Sequence, residues 1–315
     1  MPSSPLFIVF NLGSGSGDAA AVRMAIAQAC SDAGREVTVL DVDDPRRIRH
    51  VARRAVQLAQ QAGGTVVAAG GDGTINAVAQ AALGSGCAFG VLPQGTFNYF
   101  SRTHGIPADT VQAMQVLLHE AAMPVQVGLV NELVFLVNAS LGLYPKLLED
   151  REAWKQQFGR SRLVAFGAGL VSLWQGLRSL RLRIEVNGQT REVRTPTLFV
   201  GNNALQMEHL GFAEARAIDA GALAGIMLRP VGRLAMMGLL LRGALGQLGA
   251  ADQVANFAFR QLTVQRTRRI GRQRVKVATD GEVGWMRLPL VFRISPEPLM
   301  LIRPAAPAPE RAAAT

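Results

Sequence analysis

Twenty residues restrict the fold more than any others: Gly64–Leu83, GTVVAAGGDGTINAVAQAAL. Residues 65–69 form an apolar run of strand length without polar alternation, the pattern of a strand covered on both faces in a parallel sheet. Glycines then interrupt it, and from Thr74 the apolar residues return at helical spacing. The same strand, loop and helix order recurs nearby. PLFIVFN (5–11) precedes DAAAVRMAIAQACSDAG (18–34), EVTVLDV (36–42) precedes PRRIRHVARRAVQLAQQAG (45–63), and FGVLP (89–93) follows. Over residues 1–125 this alternation predicts an α/β domain with a parallel sheet and helices on both faces.

After Pro124 the texture changes. VQVGLV (125–130), ELVFLVNASLG (132–142), LRLRIEVNG (180–188), TREVRTPTLFVGN (190–202), IMLRP (226–230), FRQLTVQRT (259–267), RVKVATDGE (274–282) and LPLVFRIS (288–295) are short, β-rich and divided by turn residues. Asn-Gly at 187–188 marks a hairpin. An all-β sandwich domain is expected over 126–294, interrupted by helical insertions around 151–177 and 230–248. A last strand, about 295–303, is expected to complete the N-terminal sheet. Residues 304–315, PAAPAPERAAAT, are too poor in large apolar groups to fold and are expected to be a disordered tail.

At 315 residues the chain has room for two such cores. Cys30 and Cys87, its two cysteines, lie in apolar patterns and are expected to be buried reduced thiols, which fits a cytoplasmic protein. The N-terminus lacks the basic region of a signal peptide. The longest uncharged apolar stretches, 163–177 and 234–241, fall short of the ~20 residues that span a bilayer. Charge is uneven: residues 1–125 carry 8 Lys+Arg and 9 Asp+Glu, net −1, whereas residues 126–315 carry 25 and 14, net +11. A basic half attracts an anionic partner, nucleic acid or membrane headgroups, unless its arginines are only a solvated face. The four histidines are not clustered at metal-ligand spacing, and no G-x-S-x-G elbow supports hydrolysis.

Ligands of open α/β sheets sit beyond the carboxyl ends of the strands. Three such ends carry glycine or small polar residues: NLGSGSG (11–17), GGDGTIN (70–76) and PQGTFN (93–98). Glycines let a phosphate approach the backbone, and the following helix N-terminus offers unpaired N–H groups and a positive dipole end. Asp72 beside bound phosphate is unfavourable unless it contacts a metal or takes a proton from an attacking hydroxyl. Its plain alternative is a helix N-cap. The absence of G-x-x-x-x-G-K-[ST] excludes a P-loop.

GGDGTIN, then PQGTFNYFSR and, far downstream, TDGE (279–282) resemble, in this order, the lipid kinases with a diacylglycerol kinase catalytic domain. The bacterial diacylglycerol kinase and YegS-like branch is the most similar, with sphingosine kinases as relatives. NELVFLVNASLG and LFVGNNALQMEHLGFAEARAIDAGAL also resemble family segments, so the resemblance covers most of residues 5–303. It implies a Rossmann-like nucleotide domain, shared with NAD kinases, followed by a β-sandwich lipid-substrate domain. It further implies ATP with Mg²⁺ as donor and diacylglycerol or a related lipid alcohol as acceptor. ATP-binding roles are implied for Asn11, Gly13, Ser14, Gly15, Gly70, Gly71, Asp72, Gly73, Thr74, Ile75, Asn76 and Thr96. The family's general base maps to Glu282, with Asp280 two residues before it. The sphingosine kinase branch gives that role to the loop aspartate, so Asp72 is the second candidate. An NAD kinase, or a nucleotide- or membrane-binding regulatory protein that has lost catalysis, stands as the alternative.

The chain departs from the family pattern in three places. Asn-Pro of the first loop is Asn11-Leu12, the acid after the third motif's asparagine is Tyr99, and the aspartate before the glycine of a structural Mg²⁺ site is Ala220. Asp219 is then a shifted metal ligand, or there is no such site. On the substrate side, Arg266, Arg268, Arg269, Arg272, Arg274 and Lys276 form an acid-free run expected to meet anionic headgroups in a peripheral membrane contact. LVAFGAGLVSLWQGL (163–177) and LAMMGLLL (234–241) either line an acyl-chain cleft or pack as core. Trp154, Trp174 and Trp285 are interfacial anchors or core residues. No nucleic-acid partner is expected, and a homodimer is left open.

Overall fold

The computed structural model describes residues 4–14, 19–143, 145, 148, 179–186, 188–232, 235, 238–239, 242, 251–267 and 274–305. Two compact units emerge, one from the residues up to Val125 together with those from Glu297 on, the other from Gln126–Pro296.

In the first unit β1 (Leu6–Asn11), α1 (Ala19–Asp32), β2 (Val37–Val42), α2 (Ile48–Ala62), β3 (Thr65–Gly70), α3 (Asp72–Ala82) and β4 (Ala88–Pro93) alternate as the apolar runs predict. Then come α4 (Tyr99–Thr103), α5 (Thr110–His119) and β5 (Ala122–Val125), and β18 (Leu299–Ile302) returns from the chain's far end. The sheet order is β2-β1-β3-β4-β18-β5, parallel except for β5 against β18. β3 is buried at all six positions, as its lack of alternation requires. α2 buries Val51, Ala52, Ala55, Val56 and Ala59 in one stripe, leaves Arg49, Arg53 and Arg54 exposed, and stops at Gly63 in the left-handed conformation (φ 60°). The sequence pattern passed over α4 and α5. Five residues are too few for periodicity to show in α4. α5, capped by Asp109 Oδ1 accepting from Gln112 N at 2.9 Å, buries only Ala113, Met114 and Leu117. α5 explains Gly90 within β4, since a Cβ there would lie 2.3 Å from Leu117 Cδ2. Cys30 and Cys87 are buried and free; burial pushes the Cys30 thiol upward, partly offset by Arg35.

The second unit contains β6 (Gly128–Val130), β7 (Leu133–Phe135), β8 (Asn138–Gly142), β9 (Leu180–Val186), β10 (Gln189–Thr195), β11 (Thr197–Gly201), α6 (Ala204–His209) and α7 (Ala215–Asp219). It continues with β12 (Leu223–Leu228), β13 (Val254–Phe259), β14 (Gln261–Arg266), β15 (Arg274–Thr279), β16 (Glu282–Arg287) and β17 (Leu290–Ile294). Two sheets result, ordered β10-β9-β14-β17-β6-β7 and β13-β12-β11-β8-β15-β16. β9 shows the pleat at work: Leu182 and Ile184 are buried while Arg181, Arg183 and Glu185 are exposed. Leu182, Ile184, Leu262, Val264 and Phe292 of one sheet share a core with Leu141, Leu198, Val200, Val275 and Val277 of the other, which makes a sandwich. Two runs that look continuous in sequence change sheets within their length. TREVRTPTLFVGN breaks at Pro196, which has no N–H to donate, and FRQLTVQRT breaks at Arg260. The outer face of β11 and β12 is covered by α6 and α7, through Met207, Phe212, Ala215 and Ile218 against Ala224 and Ile226. The insertion expected around 151–177, most of that around 230–248, Asn187 and the tail from residue 306 lie outside the described residues.

Candidate active site

β1, β3 and β4 are parallel neighbours, so their carboxyl ends, each followed by one of the small-residue loops, share one edge of the sheet. The first two loops are tied by side chains. Asn11 Nδ2 donates to Thr74 Oγ1 at 2.9 Å, Asn11 Oδ1 accepts from Gly13 N at 3.1 Å, and Ser14 Oγ donates to Asn11 O at 2.8 Å. Gly70 leaves room for this clasp, since a Cβ there would lie 2.5 Å from Thr74 Oγ1. Backbone ties the second loop to the third. Gln94 N donates to Gly70 O at 2.9 Å, and a Cβ on Gly95 would come within 3.0 Å of Gly71 Cα. Asn98 closes the third loop from the left-handed region (φ 48°): its Oδ1 accepts from Gly95 N at 3.1 Å and its Nδ2 donates to Gly95 O at 2.9 Å. Asn98 lay within a quoted motif but received no role; its signal was the tolerance of asparagine for positive φ.

Asp72 is the only carboxylate among the described residues of these loops. It opens α3, while the N-cap position is Gly71, which makes no side-chain cap. The capping alternative is therefore not realised; the half-buried carboxylate stands in the first turn, where the helix dipole favours negative charge. Gly73 and Asn76 are half-buried in the same turn, and Thr96 is exposed at the tip of the third loop. Ile75 belongs to the core: its side chain is fully buried and its N–H donates to Gly71 O at 3.0 Å, so neither faces a ligand. Gly15 lies outside the described residues. Gln94 Nε2, a donor that sequence reasoning overlooked, is buried without an acceptor at this edge. Tyr99, in place of the family's acid, stacks on the exposed Phe97 with ring centroids 6.2 Å apart.

In the second unit, TDGE turns β15 into β16. Thr279 pairs with Glu282, and the two residues between them have positive φ, 47° at Asp280 and 91° at Gly281. This is the geometry for which Asp-Gly is suited. Asp280 does more than turn the chain. Its Oδ2 accepts from Leu136 N at 2.7 Å, its Oδ1 from Val137 N and Asn138 N, both at 2.9 Å, and its own N–H donates to Asn138 O at 2.9 Å. Both carboxylate oxygens are thus held by backbone donors in charge-assisted hydrogen bonds. Glu282, the first residue of β16, is exposed.

The implied structural metal does not fit its residues. Asp219 is the exposed last residue of α7, a Cβ on Gly221 would lie 3.7 Å from the Arg260 guanidinium, and no three His, Cys, Asp or Glu side chains come together among the described residues. Of the basic run, Arg266, Arg274 and Lys276 are described, whereas Arg268, Arg269 and Arg272 are not, nor are Trp154 and Trp174. Among the described residues, no helix is long and apolar enough to cross a membrane.

Comparison with known proteins adds an independent line. Residues 5–130 match the model of the diacylglycerol kinase catalytic domain, and residues 150–303 that of the YegS C-terminal NAD kinase beta sandwich-like domain. A "Probable lipid kinase YegS-like" of Pseudomonas aeruginosa (strain UCBPP-PA14) is 42% identical over 129 residues, 40% of this chain and 41% of the relative. The diacylglycerol kinase of Bacillus subtilis (strain 168) is 35% identical over 127 residues, 39% of this chain and 41% of the relative. The alignments thus span well under half of these curated relatives. A diacylglycerol kinase structure from Bacillus anthracis str. Sterne superposes with a TM-score of 0.69 over 96% of this chain and 98% of that one, at 18% identity, a likeness of fold. Two family models following one another along nearly the whole chain identify its domains: a diacylglycerol kinase catalytic domain followed by a YegS C-terminal NAD kinase beta sandwich-like domain.

Proposed function

We propose that this chain transfers the γ-phosphoryl group of ATP to the hydroxyl of diacylglycerol or a related lipid alcohol at a membrane surface. The observation that carries the reading is the joining of three strand-end loops through Asn11–Thr74 and Gly71–Gly95, with one carboxylate, Asp72, among them at the head of α3. Backbone N–H groups and the helix dipole there suit the phosphates of a nucleotide. The same residues suit Mg²⁺ carried with the nucleotide: Asp72 would hold it together with the phosphates, and it would neutralise charge on the transferred group.

Glu282 is assigned the acceptor side. As the acceptor oxygen bonds to the γ-phosphorus and the bond to the bridging oxygen of ADP breaks, the hydroxyl proton passes to the Glu282 carboxylate. Asp280 is a positioning residue in this scheme, because its carboxylate is already occupied by the N–H groups of residues 136–138. Asp72 remains the competing base, and the names of the relatives favour a lipid over NAD as acceptor. The test is transfer of label from γ-labelled ATP to a panel of diacylglycerols, other lipid alcohols and NAD. Label in a lipid is the expected result; label in NAD alone contradicts the proposal.

A further inference from the structure

β15 and β16 form the edge of their sheet. Val275, Val277 and Met286 face the sandwich core, so the alternation sends Arg274 and Lys276 of β15, and Val283, Trp285 and Arg287 of β16, to the opposite face. Trp285 is 55% exposed, the most of any aromatic side chain among the described residues, and Lys276 Nζ lies 5.4 Å from its ring centroid. Arg274 and Arg287 stand directly opposite each other across the strand pair, both exposed. Like charges in that register are destabilising. No carboxylate occupies this face of the hairpin, and neither arginine is in an ion pair among the described residues. An exposed amphipathic ring on the same face as two exposed arginines is the chemistry of a bilayer interface with anionic headgroups.

We propose that this outer face of the β15–β16 hairpin, led by Trp285 with Arg274, Lys276 and Arg287, docks on an anionic lipid surface. The choice of a bilayer over another polyanion rests on the lipid kinase reading above. Glu282 begins the same strand three residues before Trp285, and the alternation turns its side chain to the opposite face of the hairpin from the docking surface.

The test is co-sedimentation of the full chain with phosphatidylglycerol-containing and pure phosphatidylcholine vesicles, with duplex DNA as a competing polyanion. Wild type is expected to bind the anionic vesicles and not the neutral ones, with a blue shift in tryptophan emission that Trp285→Phe diminishes. Arg274→Gln with Arg287→Gln is expected to weaken vesicle binding roughly 25-fold, about fivefold per arginine. Trp285→Ala should weaken it roughly tenfold, with the thermal midpoint unchanged in each variant. Wild-type vesicle affinity in these variants overturns the proposal, as does no binding of anionic vesicles, or DNA binding that outcompetes them. Turnover on a short-chain diacylglycerol in detergent separates the two readings. Variants that lose vesicle binding but keep this turnover support both; variant-sensitive vesicle binding with no turnover on any acceptor leaves docking standing and removes the kinase reading.

Discussion

The two units bring their candidate residues into place by opposite means. In the first, the site is made of backbone: glycines at three strand ends, held by clasps such as Asn11–Thr74 and Asn98–Gly95. In the second, one side chain does the holding: the Asp280 carboxylate accepts three backbone N–H groups and fixes the turn that carries Glu282. A cradle for phosphates needs many small, shared supports, whereas a single base needs one firm anchor. Loss of any one clasp should therefore be partial in the first unit, and loss of the anchor should be severe in the second.

The largest expected effect belongs to the one carboxylate among the described residues of the phosphate cradle. Asp72→Asn should lower kcat at least ~1000-fold, on the scale of losing a transition-state electrostatic contact, with the thermal midpoint unchanged. Near-native turnover would return Asp72 to a structural role. Asp280→Ala should break the anchor, leaving three donors unsatisfied and costing about 3 kcal/mol of unfolding free energy in denaturant titration. Turnover should fall with it, and Asp280→Asn, which keeps one acceptor oxygen, should recover part of both. If instead Asp280→Asn is as inactive as Asp280→Ala at native stability, Asp280 takes part in the chemistry.

Acid should stress the first unit through a buried histidine. His104 packs edge-to-face on Phe100 at 4.7 Å, and burial, with Arg303 adding to it, lowers its pKa from 6.5 to about 4. The unfolded chain takes up this proton as pH falls through 6.5, the folded chain only near 4. Stability should decline across that window by about 3 kcal/mol and level off below it. His104→Leu should flatten the decline, which denaturant titrations at several pH values would show. The smallest effect is expected from the clasps: Asn11→Ala should cost about 1 kcal/mol of stability and raise the KM for ATP several-fold with little change in kcat.

The same contrast explains what was legible in the sequence. β3 and its neighbours could be read because a strand buried on both faces must be apolar, and the loops because glycine marks close backbone approach. The sheet changes at Pro196 and Arg260 were hidden because each break only shifts the alternation by one residue, from Val193 to Leu198 and Val200 and from Phe259 to Leu262 and Val264. Asp280 could be seen as a turn residue but not as an anchor, because its donors lie 142 to 144 residues away in the chain. Ile75 matched a motif yet points into the core, where its place in α3 rather than the motif decides its surroundings.

The division of labour is tested most directly by Glu282→Gln, with ATP binding and phosphoryl transfer measured on the same preparation. The account predicts wild-type affinity for ATP and a fall in lipid phosphorylation of at least ~100-fold, the scale of a lost general base. Lipid phosphorylation at the wild-type rate in this variant would contradict it.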